Sequence, residues 1–172
     1  MRSEAKGWVR GLACVLAAAL VGVAWGSPAW SASYEAALRG VKGIDVVFDV
    51  GHGNAKSANV IFWAVRDVYR NDAVRKLPEA PRAVVVFHGS AVKLLSSSRA
   101  GVPKEDAAAM DELAATLREM KKEGVTLEVC MYAVRVMGVD PATLMPEVDR
   151  VDNGFVSVAG YQSQGYAVVA IP

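Results

Sequence analysis

The sequence predicts an α/β domain: a five-stranded, mostly parallel sheet with helices on both faces. Two observations lead there. Short runs of β-branched and aromatic residues alternate with segments whose apolar residues recur at helical spacing. Proline, glycine and capping residues stand at the joints between them. Such a strand–helix rhythm closes most simply with parallel neighbours and crossover connections.

The elements follow in order. Ile44-Asp-Val-Val-Phe-Asp-Val50 reads as the first strand. From Asn54 to Arg70, Ala58, Ile61, Phe62, Val65, Val68 and Tyr69 form one face of a helix. Pro78 and Pro81 break the chain, and Ala83-Val-Val-Val-Phe87 is a strand of the buried type. Ala91 to Leu95 makes a short helical turn, and Ser96 to Gly101 a loop. Pro103 suits the first position of a second long helix, with Met110, Leu113, Ala114, Leu117 and Met120 as its stripe and Gly124 as its cap. Val125 to Val129 is the third strand, followed by the helix-like Met131-Tyr-Ala-Val-Arg-Val-Met137. Asp140 before Pro141 caps a short helix. Asn153-Gly154 reads as a turn, and Phe155 to Val158 and Tyr166 to Ile171 complete the five strands.

Composition limits the class. The chain has 172 residues, 53% hydrophobic and 22% charged, enough apolar material for one packed domain. Its net charge is +1. Residues 1–31 hold Arg2, Lys6, Arg10 and Glu4, so the remainder keeps 16 basic and 17 acidic residues, a net charge of −1. That balance gives no footprint for nucleic acid.

Residues 1–31 read as an export signal. Arg2, Lys6 and Arg10 make a positive start, and Gly11 to Trp25 is an uncharged, mostly apolar run of 15 residues. Ala29-Trp30-Ser31 fits a peptidase site with cleavage before Ala32. The run is shorter than the roughly 20 residues a spanning helix needs. The expectation is a periplasmic protein with no stable membrane anchor after cleavage, its domain occupying residues 32–172.

Removal of the signal, with Cys14, leaves Cys130 as the one cysteine. No internal disulfide can then form, although an exported protein meets an oxidising compartment. Cys130 stands where the third strand gives way to a helix. A buried cysteine can be a small hydrophobe, or a thiolate favoured by the dipole of the following helix; both readings stand. Ligands of parallel sheets bind beyond the carboxyl ends of the strands. His52 follows the first strand in Asp49-Val-Gly-His-Gly53, and His88 follows the second in Phe87-His-Gly89. The two histidines are the only ones in the chain. Each can instead be a loop residue bonded to backbone. The three residues make no metal-ligand spacing signature, so neither metal nor cofactor is expected. Gly51-His-Gly-Asn-Ala-Lys-Ser57 lacks phosphate-loop spacing. There is no G-x-S-x-G serine and no CxxC pair. Asp45 and Asp49 alternate with apolar residues and read as solvating one side of a strand or bonding to a loop.

Three segments carry a resemblance: Phe87-His-Gly-Ser-Ala-Val-Lys-Leu-Leu95, Gly124-Val-Thr-Leu-Glu-Val-Cys130 with Gly138-Val139, and Gly160-Tyr-Gln-Ser-Gln-Gly-Tyr166. From about Val41 to Pro172 the chain resembles the DsrE/DsrF-like family. The resemblance implies a Rossmann-like subunit that forms homotrimers or hexamers. In the family's sulfur-relay branch a cysteine after the third strand carries sulfur as a persulfide, and Cys130 matches it. Relay members are typically cytoplasmic, whereas this chain carries an export signal, and its Phe-His-Gly and Gly-Tyr-Gln motifs resemble a secreted branch.

Two functions follow. One is sulfur binding or relay through Cys130, with His88 as proton acceptor, His52 and Gly89 on the binding rim, and Arg135 offering positive charge if its helix turns it inward. Its partners are sulfur donors and acceptor protein thiols. The other is a non-catalytic homo-oligomeric binding module in which Cys130 is packing.

Overall fold

The computed structural model describes residues 33–172. The expected export segment, residues 1–31, lies outside them. The described chain runs α1 (Glu35–Leu38), β1 (Asp45–Val50), α2 (Ala55–Arg70), α3 (Asp72–Arg75), β2 (Arg82–Phe87), a 3-10 turn (Gly89–Leu95), α4 (Lys104–Lys122), β3 (Thr126–Cys130), α5 (Met131–Val136), a short 3-10 turn (Pro141–Thr143), β4 (Asp149–Val151), α6 (Gly154–Ser163) and β5 (Ala167–Ile171).

The five strands form one sheet in the order β4-β3-β2-β1-β5, and every neighbouring pair is parallel. The chain moves in one direction from β1 to β4 and then returns across the sheet to place β5 beside β1. Crossovers between parallel strands are right-handed, so a reversal of direction moves the connecting helix to the opposite face. That is where α6 lies: it touches β1, β2, β3 and β5. Its Val158 and Tyr161, together with Tyr166 just before β5, cover Val47, Val84 and Val86. The other face carries the larger core, in which Phe48, Val85 and Leu127 of the strands meet Phe62 of α2 and Leu113, Leu117 and Met120 of α4. Phe62 and Phe87 stack at 5.8 Å. Each such side chain contributes about 1.5–3 kcal/mol by leaving water.

One expected strand is a helix. Phe155 to Val158 lies in α6, and the fourth strand is the three-residue Asp149–Val151. Asn153, expected in a turn, is the cap: its side-chain oxygen accepts the Phe155 N–H at 3.0 Å. Val158 and Tyr161, three apart, then fall on the face toward the sheet. The Gly-Phe-Val-Ser-Val run is β-prone by residue type, but tertiary contact overrides so weak a preference. Pro103 stands at the cap of α4 rather than at its first position.

Two polar clips tie the layers. Glu123, just past α4, accepts the Tyr69 hydroxyl at 2.6 Å and pairs with Arg70 of α2. On the other face the Tyr161 hydroxyl donates to Glu128 at 2.8 Å. Glu128 is the one buried charged residue among those described. Its second oxygen, Oε2, is also buried and has no partner.

Candidate functional site

The site forms where β1, β2 and β3 end. Past β1 and β2, two loops are sewn together: the Ser90 hydroxyl donates to the Gly51 carbonyl at 3.1 Å and accepts the Gly53 N–H at 2.8 Å. Gly53 has no alternative there, since a β-carbon would come within 2.4 Å of the Ser90 carbonyl oxygen. This stitching holds His88, the first residue after β2, in extended backbone at the sheet edge.

The histidine is boxed in. Its Nε2 lies 2.7 Å from Oδ1 of Asp49, and the Phe155 ring sits 5.1 Å away, tilted by 54°. Asp49, read from sequence as solvating one side of a strand or bonding to a loop, has Oδ1 buried and set against His88 of the loop after β2.

Cys130 ends β3 and caps α5. Its Sγ accepts the Ala133 N–H at 3.4 Å, and the residue is 3% exposed. The first residue of α6 presses on it. A β-carbon on Gly154 would come within 3.0 Å of the Cys130 Cβ and 3.1 Å of a Val86 methyl. Close approach of α6 therefore depends on glycine at this point.

Cys130 and His88 open into one cavity of about 230 Å³, with Gly89, Tyr132, Ala133, Val136, Met137, Asn153 and Phe155 as its other walls. The lining is almost wholly apolar. The neighbouring strands β2 and β3 thus bring Cys130, His88 and Gly89 together. His52 is exposed and not among the wall residues, because the stitched loop carries it away from the cavity. Arg135 is exposed too; α5 turns it outward, 6.0 Å over the Tyr132 ring. Among the described residues no group of three His, Cys, Asp or Glu side chains gathers to hold a metal.

Sequence reading missed Asp49, Phe155 and Tyr132. Alternation in β1 does put Asp49 on the same side as Val47, but it cannot say that α6 will cover that side. It also missed a second cavity, about 510 Å³, on the α2 and α4 side of the strand ends. Asn54, Lys93, Met110, Gly138 and Asp140 line it, and Met137 is a wall of both cavities. Gly138-Val139, singled out in the sequence, borders this space and not Cys130.

Comparison with known proteins agrees with the fold. A protein of unknown function, MTH1491 from Methanobacterium thermoautotrophicum, is similar over 74% of this chain and 99% of its own, at 22% identity and a TM-score of 0.58. A conserved protein of unknown function, BT1422 from Bacteroides thetaiotaomicron, is similar over 74% of this chain and 94% of its own, at 14% identity and a TM-score of 0.51. No curated protein matches the chain. The DsrE/DsrF-like family model matches residues 44–171, and the chain belongs to that family.

Proposed function

We propose that this protein is an exported, periplasmic carrier of sulfane sulfur that works through a persulfide on Cys130. One observation carries the reading: Cys130 and His88, from the ends of adjacent parallel strands, line one small apolar cavity. The Cys130 thiol gives its proton to His88. The thiolate attacks the outer sulfur of a donor R–S–SH. An S–S bond to Cys130 forms, the donor's S–S bond breaks, and the donor leaves as its thiolate. An acceptor thiolate then takes the outer sulfur by the same exchange, so no outside oxidant or reductant enters. A cavity of about 230 Å³ is smaller than the roughly 300–1,000 Å³ of pockets for drug-sized ligands. It suits a terminal sulfur and its immediate neighbours, with apolar walls that keep water from the persulfide. Self-association belongs to the same reading. β5 is an apolar edge strand with Val168 38% and Val169 41% exposed, and edges of that kind favour a covering partner.

The test is mass spectrometry of the folded protein after incubation with polysulfide. Cys130 should gain 32 mass units (roughly one sulfur atom), and Cys130→Ser should gain none while keeping its fold. His88→Ala should load about 10²–10⁴-fold more slowly. Sulfur chemistry unchanged in Cys130→Ser would end the proposal. Export is tested separately by N-terminal sequencing of native protein from the envelope, where a start near Ala32 is expected.

A second reading, a non-catalytic oligomeric module with a structural cysteine, is favoured by the 3% exposure of Cys130. In that case Cys130 reacts with alkylating agents only after denaturation.

A further inference from the structure

We infer that Asp49 completes a proton-handling constellation with His88 and Cys130, as a positioning residue whose carboxylate fixes the orientation of the His88 ring. The inference deepens the sulfur-relay reading, and its functional half rests on it.

Three neighbouring strands supply the groups in order: Asp49 from β1, His88 just past β2, Cys130 at the end of β3. In register, Asp49 stands beside Val86, and Val86 beside Glu128. Asp49 therefore shares the α6 side of the sheet with Val47 and Glu128. Its Oδ1 is buried and lies 2.7 Å from His88 Nε2. A buried carboxylate oxygen this close to a ring nitrogen fixes which edge of the ring faces β1.

The ring cannot easily leave this carboxylate. A β-carbon on Gly51 would stand only 3.0 Å from His88 Cε1, so the loop after β1 closes one side and Phe155 another. With Nε2 turned to Asp49, Nδ1 is the nitrogen left to exchange a proton. Asp49 from β1 touches the ring, Cys130 from β3 and Tyr132 from α5 line the same cavity, and α6 brings the uncharged Phe155. The step is a proton transfer. The Sγ–H bond breaks, an N–H bond on His88 forms, and a thiolate and an imidazolium remain beside a buried carboxylate. The arrangement follows the nucleophile–base–orienting acid logic of cysteine and serine triads.

The test uses purified folded protein and two readouts. The chain has two histidines, so His52→Gln assigns the His88 ring proton signals in NMR spectra at one fixed pH. In the parent those signals should show nuclear Overhauser contacts to Phe155 from a single ring orientation, and in Asp49→Asn these contacts should weaken. Iodoacetamide labelling of Cys130 should slow about tenfold in Asp49→Asn, part of the roughly 10²–10⁴-fold that a positioned base contributes, and Asp49→Glu should restore most of it. Ring contacts and labelling both unchanged in folded Asp49→Asn would overturn the inference. If that variant does not fold, the parent decides: a His88 ring that turns between orientations overturns the inference equally. The two readings fail separately. Loss of sulfur loading with Asp49 still governing His88 removes the relay and leaves the constellation; the converse removes Asp49 and leaves the relay.

Discussion

Beneath α2 and α4 the sheet buries Phe48, Phe87, Leu127 and Val129 against Phe62, Leu113 and Leu117, with no buried charged residue among those described. Beneath α6 it carries Val47, Val84 and Val86, but also Glu128 and the buried oxygen of Asp49. The first side is a two-helix layer in dense apolar contact. The second is a single helix of ten residues resting on a few valines and tyrosines. Apolar density stabilises without offering chemistry. Polar groups are held at lower cost where the apolar layer is thinner, and that is the side on which His88 and Cys130 meet. The dense core and the candidate site are thus divided between the two sides of one sheet.

The largest expected effect breaks the first side. Phe62→Ala removes a ring that is 1% exposed and stacked on Phe87, and should cost about 3–5 kcal/mol in denaturant unfolding. The protein that remains folded should load sulfur normally, because Phe62 lines neither cavity. Reduced loading per folded molecule would show that the two sides are not independent.

A smaller effect is expected on the second side. Tyr161→Phe deletes the hydroxyl that serves Glu128 and leaves both oxygens of a buried carboxyl without a donor, at a cost of about 1–3 kcal/mol. Equal stability of Tyr161→Phe and the parent would mean that water or rearrangement satisfies Glu128.

The same hydroxyl sets an alkaline limit. Burial first, and then the hydrogen bond to Glu128, push the Tyr161 phenol up to about 12, against about 10 in an unfolded chain. A folded value above the unfolded one gives stability that is whole below about pH 10 and lost as pH rises toward 12. The Tyr69 hydroxyl, partly buried and bonded to Glu123, is raised in the same sense. Melting temperature should therefore fall between pH 10 and 12, and fall less in Tyr161→Phe. A parent protein whose stability is flat across that window would contradict both assignments.

The smallest effect concerns the periphery common to both sides. Lys121 pairs with Asp149 at 2.8 Å, linking α4 to β4 across solvent. Lys121→Ala should change unfolding by less than about 1 kcal/mol. A larger loss would show that the short β4 depends on this pair.

Residue pattern was enough to read β1, β2, β3 and β5 as β-branched runs, and α2 and α4 by helical spacing and the residues at their ends. It misread α6, whose Phe155 and Val156 are apolar though largely exposed; a helix with apolar residues beyond its sheet-facing side has no contrast for a period to show. It passed over β4, whose three residues are too few to carry an alternation.

The candidate site divides in the same way. Strand ends offered one rim to Cys130, His88 and His52 if their strands were neighbours; the sheet order makes β2 and β3 neighbours, and His52 lies outside the cavity. Whether Asp49 faced water or His88, and whether Arg135 turned in or out, was decided only by where α6 and α5 came to rest. An acid that alternates with valines reads alike on a wet surface and on a covered one. The covering helix comes from more than a hundred residues further along the chain, and only the reversal that returns β5 beside β1 brings it over Asp49.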